Sequence, residues 1–180
     1  MTKKLLLVAM LAATTPAVAQ TTEQGAYLLG DFGIGRYENA APFPDPLKVG
    51  LGAGYQFNRN FAAELGLSFF PEVEATTGAG TAKLRAHSFH PAAVGLLPLS
   101  PELTAFGKLG VSSNHAEGTN PAGNSFSTSD NDLYFGFGVQ YKVSPKLGIR
   151  GQYENFGRFD TGPSPLRASA VSVGVAYYLQ

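Results

Sequence analysis

Apolar residues fall on alternate positions through eight successive segments of this chain, and turn-forming residues separate the segments. The last segment shows the pattern plainly. Val171, Val173, Val175, Tyr177 and Leu179 take one face, and Ser172, Gly174, Ala176, Tyr178 and Gln180 take the other. A period of two puts successive side chains on opposite sides of an extended backbone, so each segment reads as a β-strand with one apolar face. Strands are predicted near 26–36, 47–57, 61–70, 82–97, 103–113, 133–142, 147–156 and 171–180.

What occupies the second face is informative. Opposite Leu47, Val49, Leu51, Ala53, Tyr55 and Phe57 stand Lys48, Gly50, Gly52, Gly54 and Gln56. Opposite Phe61, Ala63, Leu65, Leu67 and Phe69 stand Glu64, Gly66 and Ser68, and opposite Leu133, Phe135, Phe137, Val139 and Tyr141 stand Gly136, Gly138, Gln140 and Lys142. The fourth segment is less regular. Lys83, Arg85 and His87 share one face and Leu84, Ala86, Val94 and Leu96 the other, with Pro91 predicting a bulge or register break.

The connections alternate in length. Asn58-Arg59-Asn60, Pro98 to Pro101 and Ser144-Pro145 predict tight turns, whereas 37–46, 71–81, 114–131 and 159–168 read as long polar loops. Short turns on one side and long loops on the other characterise an even-stranded barrel standing in an outer membrane. The expected fold is therefore all-β, an eight-stranded antiparallel up-and-down transmembrane β-barrel. Aromatic residues near the strand ends (Tyr27, Tyr55, Phe57, Phe61, Phe69, Tyr141, Tyr153 and Tyr177) are expected to form its interfacial girdles.

The first residues support export. Lys3 and Lys4 precede an apolar run, Leu5 to Ala13, and Ala17-Val18-Ala19 is a small-residue cleavage site. Residues 1–19 are thus expected to be a signal peptide and 20–180 the barrel domain. The run is too short to span a bilayer as a helix. With no cysteine, a disulfide scaffold is excluded. Thirteen basic and thirteen acidic residues give zero formal charge and no basic patch, which argues against nucleic acid.

A soluble eight-stranded barrel or sandwich would alternate too, with its apolar face turned inward. Charged residues make up 14% of this chain, against the roughly 25–35% expected of a soluble surface. Rows of Leu, Val and Phe would fill so narrow an interior and leave mostly glycine for water. Glycine within strands fits the reverse arrangement, where it makes room in a narrow lumen for larger polar neighbours.

The segments GYQFNRNFAAELGLSFF (54–70), LSPELTAFGKLGVS (99–112), YFGFGVQYKVSPKLGIRGQYENF (134–156) and SVGVAYYL (172–179) resemble the transmembrane domain of the OmpA family of Gram-negative outer-membrane proteins. The likeness extends over nearly all of the chain beyond residue 20. It implies an eight-stranded barrel with a polar, salt-bridged interior, location in the outer membrane, contact with lipid and lipopolysaccharide, and insertion by the barrel assembly machinery. Members often continue into a peptidoglycan-binding domain, whereas this sequence ends at Gln180, so a cell-wall tether is not expected. The terminal aromatic read during assembly is absent, and Tyr178 and Leu179 are expected to serve instead.

Candidate chemistry lies in the inward charges, read as Asp31, Lys48, Glu64, Lys83, Arg85, Lys108, Lys142, Arg150 and Glu154. Burial in a narrow barrel favours pairing of opposite signs. The expected pairs are Glu64 with Arg85, and Glu154 or Asp31 with Arg150 or Lys108. The resemblance implies that such pairs block the lumen, with gating as an alternative use. Eight strands enclose little beyond their own side chains, so large solutes are not expected to pass.

His87-Ser88-x-His90 invites an enzymatic reading, with Glu72 or Glu74 as the acid. Neighbouring residues point to opposite faces, and no acid stands at matching spacing, so no catalytic residue is assigned. His115 has no metal-ligand companion, and no cofactor is expected. The outer loops, above all 114–132, are the place for an extracellular ligand. The function read from the sequence is a monomeric structural barrel supporting envelope integrity, the alternatives being an adhesive loop module and a narrow gated pore.

Overall fold

Alternation has its full effect once the strands pair. The computed structural model describes residues 24–38, 43–78, 80–159 and 166–179, and the expected signal peptide lies outside them. Eight strands follow one another: β1 (Gly25–Glu38), β2 (Leu47–Asn58), β3 (Phe61–Thr77), β4 (Gly80–Pro98), β5 (Leu103–Thr119), β6 (Ser125–Ser144), β7 (Leu147–Phe159) and β8 (Leu166–Tyr178). Each pairs antiparallel with the next, and β1 closes on β8 from Tyr27↔Tyr178 to Glu38↔Arg167. Closure leaves no unpaired edge within the bilayer, as hydrocarbon demands.

Periplasmic turns are short because side chains cap them. Asn58 Oδ1 accepts the Asn60 and Phe61 N–H groups at 2.8 and 2.9 Å. Ser100 Oγ likewise accepts the Leu103 N–H at 3.0 Å.

Outward positions carry an apolar band: Phe32, Ile34, Leu51, Leu65, Leu67, Leu109, Leu133, Phe137, Val173 and others are all exposed. About five outward residues per strand, at about 3.3 Å per residue and a tilt near 45°, give the roughly 25 Å apolar height of such barrels. Tyr55, Phe57, Phe61, Phe69, Tyr141 and Tyr177 face outward. Tyr27 departs from the girdle reading. It shares the inward parity of Asp31, is 2% exposed, and donates its hydroxyl to Glu64.

Three further expectations are corrected. Pro91 shifts no register: it faces Leu65 in a continuous β3–β4 ladder, and on the other side the β4–β5 pairing lapses between Phe89↔Ser113 and Ala92↔Gly110 and resumes in the same register, as the missing proline N–H requires. The irregularity falls instead between Phe70 and Val73, at Pro71 and Glu72. Residues 71–77 and 114–119 are strand rather than loop, leaving only Asn120–Asn124 between β5 and β6. Cross-strand bonding satisfies a polar hairpin in water, so no apolar alternation announces it.

Lys83 and Arg85 point outward, with side chains 43% and 65% exposed. On β4 the inward row is Ala82, Leu84, Ala86, Ser88, His90, Ala92 and Val94. Small and apolar residues belong there because rings from other strands fill the upper lumen. Phe70 and Phe156 meet edge-on with centroids 5.4 Å apart, and Tyr37, Leu84, Phe159 and Leu166 join the same cluster. A second cluster, Tyr27, Ala62, Val94 and Phe106, fills the periplasmic end.

Lumenal glycines leave room for large neighbours. A Cβ at Gly66 would meet His90 Cε1 at 2.1 Å, one at Gly54 would meet Tyr27 Cζ at 2.3 Å, and one at Gly138 would meet Phe106 Cζ at 2.8 Å. Gly157 has a different reason. It adopts φ 74° at the irregularity between Asn155 and Gly157, a conformation costly for other residues.

A charged plug as the candidate functional site

Between the two apolar clusters the inward rows bring together three cations and three carboxylates. Lys48 Nζ bonds Glu154 Oε2 at 2.6 Å and also pairs with Asp31. Lys108 Nζ lies 2.9 Å from Glu64 Oε2 and 3.6 Å from Glu154 Oε1, so it bridges the two glutamates. Arg150 Nη1 donates to Glu64 Oε1 at 2.8 Å, its Nε donates to Gln140 Oε1 at 2.9 Å, and its guanidinium carbon stands 4.4 Å from the centre of the Phe106 ring. These groups form one continuous chain from Asp31 to Arg150.

Neutral donors complete it. Tyr27 donates to Glu64 at 2.8 Å and Tyr134 to Glu154 at 2.5 Å. His90 stacks on Tyr134 with centroids 4.4 Å apart, and its Nε2 lies 3.0 Å from Ser68 Oγ. Lys48, Glu64, Lys108, Arg150 and Glu154 therefore each have an opposite charge and at least one further hydrogen bond or ring contact, the condition under which buried ions are tolerated, and Asp31, paired with Lys48 alone, is the most exposed of the six. A cavity of about 20 Å³ remains at this level, bordered by Asp31, His90, Lys108 and Gln152. That is room for about one water.

Of the six residues named in the expected pairs, Asp31, Glu64, Lys108, Arg150 and Glu154 meet here. Arg85 does not. Its expected pairing with Glu64 fails because Arg85 is on the outer wall, where its Nε donates to Glu117 Oε2 at 2.9 Å. Glu64 instead reaches across the lumen to Arg150 on β7 and to Lys108 on β5. Glu154 meets Lys108 as expected and Lys48 besides, whereas Asp31 pairs with Lys48 in place of Arg150 or Lys108, so Lys48 is a partner the expected pairs left out. Tyr27 and Tyr134 were legible as inward by parity with Asp31 and Gly136, but aromatic residues were assigned to the girdles or passed over.

The His87-Ser88-x-His90 motif is dispersed. His87 faces outward, Ser88 donates to Asn114 Oδ1 at 2.7 Å, and His90 is taken up in the lumen. Among the described residues, no group of three or more His, Asp or Glu side chains is arranged to hold a metal ion.

Outside the apolar band, Lys83 lies 2.6 Å from Glu74 and 3.1 Å from Glu72. Glu117 takes Arg85 on Oε2 and His115 on Oε1. Hydrogen bonds from His115 and then from Arg85 hold its carboxyl below the usual carboxylate range.

A closed, inside-polar, outside-apolar barrel of eight strands defines a small outer-membrane β-barrel. The profile of the outer membrane protein beta-barrel domain family matches residues 5–178, and the chain belongs to that family. It is an outer-membrane protein. Its fold is similar to that of Neisserial surface protein A, with a TM-score of 0.68 at 16% identity, covering 85% of this chain and 96% of that one. Similarity extends to Ail, the attachment invasion locus protein of Yersinia pestis, in complex with the heparin analogue sucrose octasulfate (TM-score 0.60, 16% identity, 87% and 99% covered). Pseudomonas aeruginosa OprG also matches, with a TM-score of 0.58 at 13% identity over 87% of this chain and 96% of that one. No curated protein matches by sequence.

Proposed function

We propose that this protein is a monomeric structural barrel that supports the integrity of the outer membrane, exported by residues 1–19 and inserted by the barrel assembly machinery. The observation that carries this reading is the lumen. Two ring clusters and a charge-balanced chain of six ionised side chains fill it, and the cavity among those charges measures about 20 Å³. Such an interior supports a structural wall in preference to a conduit for solutes. Lipid and lipopolysaccharide are the partners of the exposed apolar band.

The test has three arms. Unboiled protein from outer membranes is expected to migrate separately from the boiled form on a denaturing gel and to resist protease. The same preparation in planar bilayers is expected to show no discrete conductance, and cells lacking the gene are expected to become sensitive to detergent. Steady single-channel openings that increase on Glu64→Gln would replace the structural reading with the gated pore.

A further inference from the structure

We propose that Ser129, His115 and Glu117 form a hydrolytic site on the outer wall of the barrel, acting on carboxylic esters carried in the headgroup layer of the outer leaflet. This activity goes beyond the structural role above and uses none of the lumenal residues. Ser129 Oγ lies 2.7 Å from His115 Nδ1, and His115 Nε2 lies 2.9 Å from Glu117 Oε1. Nucleophile, base and acid thus stand in series, each nitrogen of the imidazole holding one partner. This is the relation that activates a serine, whatever the fold that presents it.

The ladder explains the juxtaposition. His115 on β5 stands directly opposite Ser129 on β6. Odd-numbered residues of β6 turn their N–H groups away from β5, as the Asn131 and Leu133 N–H groups show by bonding the Asp130 and Asp132 carboxylates. His115 and Ser129 are therefore a non-hydrogen-bonded pair, the kind in which facing side chains approach most closely. Glu117 follows two residues on and shares the face. Arg85, opposite Glu117 on β4, grips Oε2 and leaves Oε1 to the histidine, which makes it a positioning residue. Ser127 Oγ is 3.5 Å from Nε2, on the Glu117 side of the ring, away from the position of the nucleophile.

The same parity aims the Ser129 N–H toward the β7 side of β6, where the β6–β7 ladder ends at Phe135↔Asn155. A backbone N–H next to the nucleophile's own Oγ, free of the ladder, is the donor an oxyanion requires.

Position selects the substrate. Leu133 is the last outward apolar residue on this part of β6, and Ser129 is four residues beyond it. That distance is about 13 Å along the strand, or about 9 Å of height at a tilt near 45°. The site is thus level with headgroups, above the hydrocarbon boundary. One cross-strand row, Phe69↔His87↔His115↔Ser129, connects it to the band. A surface hollow lined by Phe69, Pro71, Glu72, Arg85, His87 and Glu117 runs beside that row, with an apolar floor at one end and the Arg85 guanidinium beside the Glu72 and Glu117 carboxylates at the other. Its floor fits an acyl chain, and the height of the site in the outer leaflet makes an ester of lipopolysaccharide the substrate within reach.

The steps balance without a cofactor. The Glu117 carboxylate can only accept, so His115 donates its Nε2–H to it, and for the reaction Nδ1 offers its lone pair to Ser129. As Oγ attacks the ester carbon, its proton passes to Nδ1. The bond from carbon to the alcohol oxygen then breaks, and the proton on Nδ1 moves to that oxygen. Water, deprotonated by His115, next attacks the acyl-serine. The acid leaves and Oγ recovers its proton, so ester and water become acid and alcohol.

The test uses folded, heat-modifiable protein in detergent micelles, probed with a fluorophosphonate, with p-nitrophenyl butyrate, and with vesicles of lipopolysaccharide or of phosphatidylcholine. Labelling at Ser129, butyrate release and fatty acid release from lipopolysaccharide are expected. Ser129→Ala should abolish all three, His115→Gln should lower the rates by roughly 10²–10⁴-fold, and Ser127→Ala should leave them unchanged. Folded wild-type protein that neither labels nor hydrolyses would overturn the site, as would undiminished activity in Ser129→Ala. Release from phosphatidylcholine alone would overturn the headgroup assignment. Because heat modifiability is read on the same samples, failure of this site is distinguishable from failure of the barrel reading.

Discussion

Ion pairs inside the barrel and ion pairs on its extracellular hairpins are alike in chemistry and length, and differ in what surrounds them. Lys108–Glu64 and Arg150–Glu64 measure 2.9 and 2.8 Å between side chains about 5% exposed. Lys83–Glu74 measures 2.6 Å between side chains 43% and 54% exposed. Distance therefore says little about consequence. A charge in the lumen that loses its partner cannot find water, whereas one on the hairpin turns into solvent.

The largest expected effect follows from removing the best-connected buried acid. Glu154→Ala leaves Lys48 and Lys108 each short of a carboxylate and the Tyr134 hydroxyl without its acceptor. Breaking a buried pair in this way costs about 3–5 kcal/mol. Equilibrium unfolding by urea in lipid vesicles should show that loss. A cost near zero would mean that water enters the lumen and that the two regions are alike.

Second in size is a change of volume with no change of charge. Gly66→Val adds atoms where a Cβ would already lie 2.1 Å from His90 Cε1, and that ring is held between Tyr134 and the Ser68 hydroxyl. Overpacking of this kind costs about 1–3 kcal/mol, measurable in the same titration. Gly30→Val, at an outward position with open space around its Cβ, is the control and should leave the midpoint unchanged.

These two substitutions also separate what alternation makes legible from what it does not. Strand number and order could be read from the chain, as could the facing of β2 and of β6 through the membrane, because lipid and lumen impose opposite demands on neighbouring residues. The phase of β4 could not. Lys83 and Arg85 alternate with Leu84 and Ala86 where the strand leaves the membrane, so charge belongs outside and apolar groups line the lumen, the reverse of the arrangement lower down. Pairing partners were hidden for a related reason. Adjacent strands are the natural place to seek a partner for Glu64, yet long side chains in a narrow barrel meet across the lumen, and Arg150 lies 86 positions away in sequence. The Ser129–His115–Glu117 series was hidden because 114–131 carries no apolar alternation and reads as a loop. Only the hairpin register places a serine opposite a histidine.

The smallest expected effect on stability lies on the hairpin. Lys83→Ala removes contacts to Glu72 and Glu74, all three side chains being largely in solvent, and should leave the urea midpoint unchanged. Salt sharpens the contrast. At about 1 M salt the Debye length is about 3 Å, so exposed pairs are screened while pairs shielded by the barrel wall are not. If the lumen is sealed, wild-type protein and Lys83→Ala should respond to salt alike, and the deficit of Glu154→Ala should persist at high salt. Salt that erased the deficit would show that counter-ions reach Lys48 and Lys108. A lumen open to ions would then be the better description of the barrel, and the boundary between its two regions would disappear.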